Sequence, residues 1–191
     1  MGYLRPLPKL GAIAMSTTSL DYLFEVSSPY IVIGQGEPER KNWNPGHFFA
    51  RSGVDTCVRS LRGTKMVTTA RLMDEIAAAL QFFDGFGENW YALEDCLCTM
   101  DEWLPATAYV LVVENAERVL VEEDQASLST FMRVVHAAGL SWSRPIVGSG
   151  RFDRPATPFH LLLYQSTLDS SSDARLTAAA TDAAVPYRGD D

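Results

Sequence analysis

Apolar residues recur every three or four positions through Leu72, Ile76, Ala79, Leu80 and Phe83. That spacing predicts a helix over ARLMDEIAAALQFF, opened by Thr68 or Thr69 and closed near Asp84-Gly85. Trp90, Leu93, Leu97 and Met100 repeat the pattern and predict a second helix over about residues 89–99. Leu128, Phe131, Met132 and Val135 predict a third over 126–138, ended by Gly139. Elsewhere the period changes. AYVLVVE (108–114) and FHLLLY (159–164) are unbroken apolar runs, as expected of strands buried on both faces. CVRSLRGTKM (57–66) reads as an extended segment with a turn at Arg62-Gly63. Between Ser19 and Gly34, aromatic and β-branched residues around a Ser-Ser-Pro break suggest two short strands.

The order strand, helix, helix, strand, helix, strand predicts an α/β fold. We expect a small, mostly parallel sheet of about three strands with helices packed on it, spanning residues 56–164. Residues 1–55 are expected to be an N-terminal extension, partly extended or disordered, with a Gly/Pro/Asn-rich loop at 34–46. Residues 165–191, rich in Ser, Asp, Ala and Thr, are expected to be a disordered tail. LSWSRPIVGSGRFDRPATP reads as a polar insertion ahead of the last strand, and no internal repeat occurs. Met15 is an alternative start to Met1.

Charge narrows the function. A length of 191 residues suits one domain with extensions. A formal charge of −8 argues against direct nucleic-acid binding, which needs a basic face, and suits a basic protein partner. Three cysteines, Cys57, Cys96 and Cys98, form no disulfide framework and lack zinc-knuckle spacing, which fits a reducing cytoplasm. MGYLRPLPKLGAIAM has no sustained apolar core, so no secretory signal is expected, and no run reaches membrane-spanning length. His47, His136 and His160 are scattered, so neither metal nor cofactor is expected. His160 reads as a hydrogen-bonded core residue and His136 as exposed.

From Leu72 to Glu117 there is no lysine, arginine or histidine, yet Asp74, Glu75, Asp84, Glu88, Glu94, Asp95, Asp101, Glu102, Glu114 and Glu117 all fall there. A solvated acidic face is one reading of this window, and a surface for a cationic partner is the other. On the second predicted helix Tyr91 and Asp95 lie four apart on the outward side, with Glu94 and Cys98 beside them. Phe86, Gly87 and Asn89 precede that helix. Aromatic anchors flanked by carboxylates suit a protein-binding hot spot. Against this, Asn89 has an alternative role as a helix cap, and Phe86 as core.

FFDGFGENWYALEDCL (82–97) resembles the signature of the barstar family, intracellular inhibitors of the ribonuclease barnase. Phe86, Gly87, Asn89, Trp90, Ala92, Leu93, Asp95, Cys96 and Leu97 carry the likeness. LRGTKMVTTARLMDEIAAAL, YVLVVEN, LSTFMRVVHAAG and FHLLLY extend it over about residues 56–164. The resemblance implies an inhibitor, with immunity or antitoxin character, that occludes a ribonuclease or another toxin with a basic cleft. It implies Asp95 standing where a substrate phosphate would bind, and Phe86, Gly87, Asn89, Tyr91, Glu94 and Asp95 as the partner-binding set. A monomer without catalytic residues is expected. Two departures stand out: Tyr91 replaces a usual acid, and a glutamate of the last long helix falls near Val134. A protein-interaction module without a nuclease target is therefore the alternative. An enzyme using Cys96, Asp95 and His136 is disfavoured, because Cys96 falls on the inward side of its helix.

Overall fold

A computed structural model describes residues 22–35, 55–166 and 170–189. Five strands, β1 (Ile31–Gln35), β2 (Thr56–Arg62), β3 (Ala108–Glu114), β4 (Phe159–Gln165) and β5 (Tyr187–Gly189), form one sheet in the order β2-β3-β4-β1-β5. Every pairing is parallel. Four α-helices accompany them: α1 (Thr69–Leu80), α2 (Trp90–Cys98), α3 (Gln125–Trp142) and α4 (Ser170–Asp182). The α/β class and parallel sheet agree with the sequence, whereas the expected count of about three strands is corrected to five.

The two additional strands come from outside residues 56–164. β1, expected in an N-terminal extension, lies inside the sheet between β4 and β5, with Ile31 opposite Leu161 and Ile33 opposite Leu163. Of the two strands expected between Ser19 and Gly34, this is the one present among the described residues, and residues 22–24 make a 3-10 turn. The segment expected as a disordered tail contains α4 and β5. Leu176, Ala179 and Ala180 bury one face of α4 as a short apolar stripe, which Ala183 continues just past its end. The expectations for the loop at 34–46 and for the start at Met1 or Met15 lie largely outside the described residues.

Alternation along the strands divides the core. Tyr109, Leu111, Val113, Phe159, Leu161, Leu163, Ile31 and Ile33 face one layer with the inward sides of the helices. Val110, Val112, Leu162 and Val32 face the other, with Leu23. The caps explain where the helices begin. Thr68 Oγ1 accepts from Arg71 N at 3.4 Å, and Glu123 Oε1 accepts from Thr69 N at 2.8 Å. Asp124 Oδ1 accepts from Ser127 N at 2.9 Å to open α3, and the hydrogen bonds from Ser127 hold its carboxyl below the ordinary range.

Two helix ends differ from the sequence reading. α1 stops at Leu80 because Gln81 turns left-handed (φ 57°), which swings Phe83 out to 59% exposure instead of continuing the apolar stripe. α3 runs past Gly139 to Trp142. Gly139 is not a cap; a Cβ there would fall within the Tyr30 ring, so the glycine lets α3 approach the residue just before β1.

The edge strand β2 is tied to α1 by charge. Glu75, only 8% exposed, accepts from Arg62 N at 3.0 Å, Arg62 Nε at 2.8 Å and Arg62 Nη2 at 2.7 Å. Arg59 donates to Val58 O and Ala79 O, each at 3.1 Å. Arg62–Glu75 is the only ion pair among the described residues. Glu75 therefore leaves the free acidic field to which its sequence position assigns it.

Candidate functional site

The candidate edge consists of the loop after α1 and the outward side of α2. Its base is fixed from three directions. Phe82 packs edge-on against Phe86 at 4.9 Å and against Trp103 at 5.9 Å between ring centroids. Trp103 Nε1 donates to Leu80 O at 3.0 Å, holding the turn after α2 against the end of α1. Trp142 Nε1 donates to Leu97 O at 2.7 Å, pinning α3 to α2. With Leu93, Cys96 and Leu97 buried, the rotation of α2 is set and its opposite side must face water.

Asn89 resolves in favour of the cap. Its Oδ1 accepts from Tyr91 N at 3.1 Å and Ala92 N at 3.0 Å, while its Nδ2 donates to Gly87 O at 2.9 Å. A Cβ on Gly87 would meet Asn89 Nδ2 at 3.0 Å, so the glycine keeps this cap compact. Glu88 between them is left-handed (φ 46°) and exposed. Phe86 is half-buried and shares its ring between core and edge. Asn89, Gly87 and Phe86 thus shape the edge more than they project from it.

Tyr91 and Asp95 do project. Tyr91 is 88% exposed, and Asp95 is exposed with no ion pair or hydrogen bond to its carboxylate among the described residues. Glu94 is half-buried beside them. Cys98 departs from expectation: it is half-buried, hydrogen-bonded to Ser141 of α3, and its thiol is pushed up chiefly by burial. Phe83 is the residue that the periodicity misplaced, an exposed aromatic on the same loop. The left-handed Gln81 that frees it leaves no clear mark in the sequence.

The three residues weighed as a catalytic set do not share this surface. Cys96 is buried and its thiol is raised by desolvation and by Asp95, opposite to what a nucleophile needs. His136 is half-buried against Tyr30 (5.6 Å) rather than exposed, and burial lowers its pKa. His160 is fully buried, as its strand position implies, with Nδ1 3.0 Å from Leu23 O and Nε2 3.3 Å from Ser27 O. Val134 is buried, so α3 supplies no carboxylate at that position. Among the described residues no group of three His, Cys, Asp or Glu side chains is placed to hold a metal ion, and no helix is long and apolar enough to cross a membrane.

No curated protein matches the chain in sequence. Among solved structures, the chain is similar to Cdc6p from Pyrobaculum aerophilum, with 16% identity over 84% of this chain and 38% of that one and a TM-score of 0.45. It is also similar to Drosophila ORC bound to DNA, with 12% identity over 83% of this chain and 77% of that one and a TM-score of 0.42. Nothing about activity follows from likenesses this distant. The model of one family, described as Barstar (barnase inhibitor), matches residues 56–163.

Proposed function

This chain belongs to the barstar family, and from that premise we propose that it binds a ribonuclease of the barnase kind and occludes its active site. The observation that carries the reading is Asp95: an exposed carboxylate with no cation paired to it among the described residues, on a helix whose rotation is fixed by Leu93, Leu97 and the Trp142 hydrogen bond. A ribonuclease cleft must hold phosphate, and the arginines that do so accept a carboxylate by the same bidentate hydrogen bonds. Asp95 stands in for that phosphate. Tyr91, one turn earlier on the same side, supplies a flat apolar surface with a polar tip for the neighbouring base-binding wall. Glu94 adds to the field that steers encounter. Phe86, Gly87 and Asn89 serve by presenting these three side chains.

Carboxylates already placed on a rigid helix lose little conformational freedom on binding. In this reading the complex is one-to-one, forms from a monomer in the cytoplasm, needs no cofactor, and weakens with salt.

Buried Val134 and the exposed Tyr91 support a second reading, a protein-binding module that keeps this surface but has no nuclease target. One experiment separates them. Purified chain titrated into barnase acting on RNA should inhibit stoichiometrically, and the Asp95→Lys variant should not, with an unchanged melting temperature. RNA cleavage undiminished by an excess of the unmutated chain overturns the inhibitor reading. Equal inhibition by both forms overturns the assignment to Asp95.

A further inference from the structure

Phe83 has no part in the surface described so far, yet the chain around it forces its ring outward. At the end of α1 the left-handed Gln81 lets Phe82 N donate to Ala77 O at 2.9 Å, which closes the helix. Phe82 is thereby fixed inward against Phe86 and Trp103. The next side chain leaves the backbone on the other side, and Phe83 is 59% exposed. Phe86 N then donates to Phe83 O at 3.0 Å and closes the turn Phe83-Asp84-Gly85-Phe86. A Cβ on Gly85 would lie 3.1 Å from Phe83 Cε2 and 3.3 Å from Cδ2, so one edge of the ring rests on bare glycine backbone. The ring is held at its root and along one edge.

What it lacks is a partner. Elsewhere in this chain arginines cover aromatic faces: Arg154 lies 3.8 Å from the Trp142 ring centroid, Arg188 4.4 Å from that of Tyr22 and Arg151 4.6 Å from that of Phe152. Among the described residues no cation lies over Phe83, and none occurs in the sequence between Leu72 and Glu117. Asp84, next to it on the turn, is exposed, and its carboxylate has no ion pair or hydrogen bond among the described residues. A single exposed apolar residue is ordinary on a protein surface. A rigid ring beside an unmatched carboxylate is more specific, because a guanidinium can stack its plane on the ring and donate its N–H groups to the carboxylate. The turn also adjoins the edge. Its hydrogen bond brings the Cα atoms of Phe83 and Phe86 within about 7 Å. From Phe86 the chain passes straight to Gly87, where a Cβ would meet Ala92 Cβ of α2 at 3.4 Å.

We propose that Phe83 is a specificity-determining contact of the inhibitory surface, stacking on an arginine at the rim of the ribonuclease's phosphate pocket while Asp84 accepts from the same guanidinium. This inference rests on the inhibitor reading. Asp95 takes the arginines inside the pocket, and Phe83 takes one outside it. The two groups select differently. A carboxylate accepts lysine or arginine, whereas a ring favours the flat, weakly hydrated guanidinium. Phe83 thus discriminates among ribonucleases with equally basic clefts by whether an arginine stands beside the pocket. Because the ring is already fixed, stacking costs little conformational freedom.

The test titrates the unmutated chain, Phe83→Ala, Phe83→Leu and Phe83→Tyr into barnase acting on RNA and compares inhibition constants. Melting curves check the fold, and with Phe83 exposed all four forms should melt alike. We expect roughly tenfold weaker inhibition for Phe83→Ala and nearly the same loss for Phe83→Leu, which keeps apolar bulk without a ring. Phe83→Tyr, which keeps the ring, should inhibit as the unmutated chain does. Unchanged inhibition by Phe83→Ala overturns the contact. Full inhibition by Phe83→Leu, or a Phe83→Tyr variant as weak as Phe83→Ala, overturns the stacking on arginine. Any of these results leaves the inhibitor reading standing. Failure of the unmutated chain to inhibit overturns that reading, and this contact with it.

Discussion

Glu75 and Asp95 lie on consecutive helices, both inside the stretch that holds no cation, and they meet opposite environments. Glu75 of α1 is buried and commits three hydrogen bonds to Arg62, a residue just outside that stretch. Asp95 of α2 is exposed, and its carboxylate has no ion pair or hydrogen bond among the described residues. A carboxylate that completes its hydrogen bonds at home holds the fold together. One left unmatched on a fixed helix is available to another molecule. A run of acids along the sequence does not separate these cases, because the deciding cation sits outside the run.

Truncating each carboxylate, with stability and binding both measured, puts that contrast under the greatest strain. Asp95→Ala should weaken barnase inhibition by roughly 2 kcal/mol or more while leaving urea denaturation unchanged. Glu75→Ala should do the reverse, lowering unfolding stability by about 1 kcal/mol, modest because Arg62 regains water, with the inhibition constant unmoved. Loss of binding in both, or loss of stability in both, would erase the distinction. Asn89→Ala tests the middle case: losing the cap should cost about 1 kcal/mol of stability. It should also loosen the start of α2 enough to weaken inhibition slightly, and Asn89→Asp, which keeps the cap acceptor but loses the donor to Gly87 O, should restore only part of each.

The smallest effect is on pH dependence. Burial holds His160 below its ordinary pKa, despite the facing carbonyls of Ser27 and Leu23, and His136 shifts the same way by burial. As pH falls below about 6.5, the unfolded chain therefore takes up protons before the folded one does. Stability should be full above that value and decline below it, without affecting the Asp95 surface. Urea titrations at about pH 7.5 and 5.5 check this; His160→Gln should flatten the decline in part. Glu75, held below the carboxylate range by Arg62, adds a further loss only at still lower pH, as it takes up its proton.

Much of this arrangement is legible in the sequence where the signal is local. Leu93 and Leu97 turn α2, and the inward and outward sides follow from helical spacing alone. The apolar runs of β3 and β4 likewise announce buried strands. What escapes is decided at a distance. Gly139 looks like a helix stop until Tyr30, far earlier in the chain, occupies the space beside it. α4 carries Ser, Asp, Ala and Thr, a composition that resembles solvated chain. Its burial through Leu176 and Ala179 exists only because α3 and β1 pack against it. Cys98 sits on the outward side by spacing but is covered once Ser141 of α3 arrives.

The Arg62–Glu75 arrangement does more than hold α1 to the sheet. β2 borders the sheet, and the rim of such a strand ordinarily offers bare amides and carbonyls to any passing extended polypeptide. Here the Arg62 amide is already engaged by a carboxylate and the Val58 carbonyl by a guanidinium. On the β2 rim those two groups are thereby closed to a further strand, and neither Arg62 nor Arg59 belongs to the α2 surface that carries Asp95.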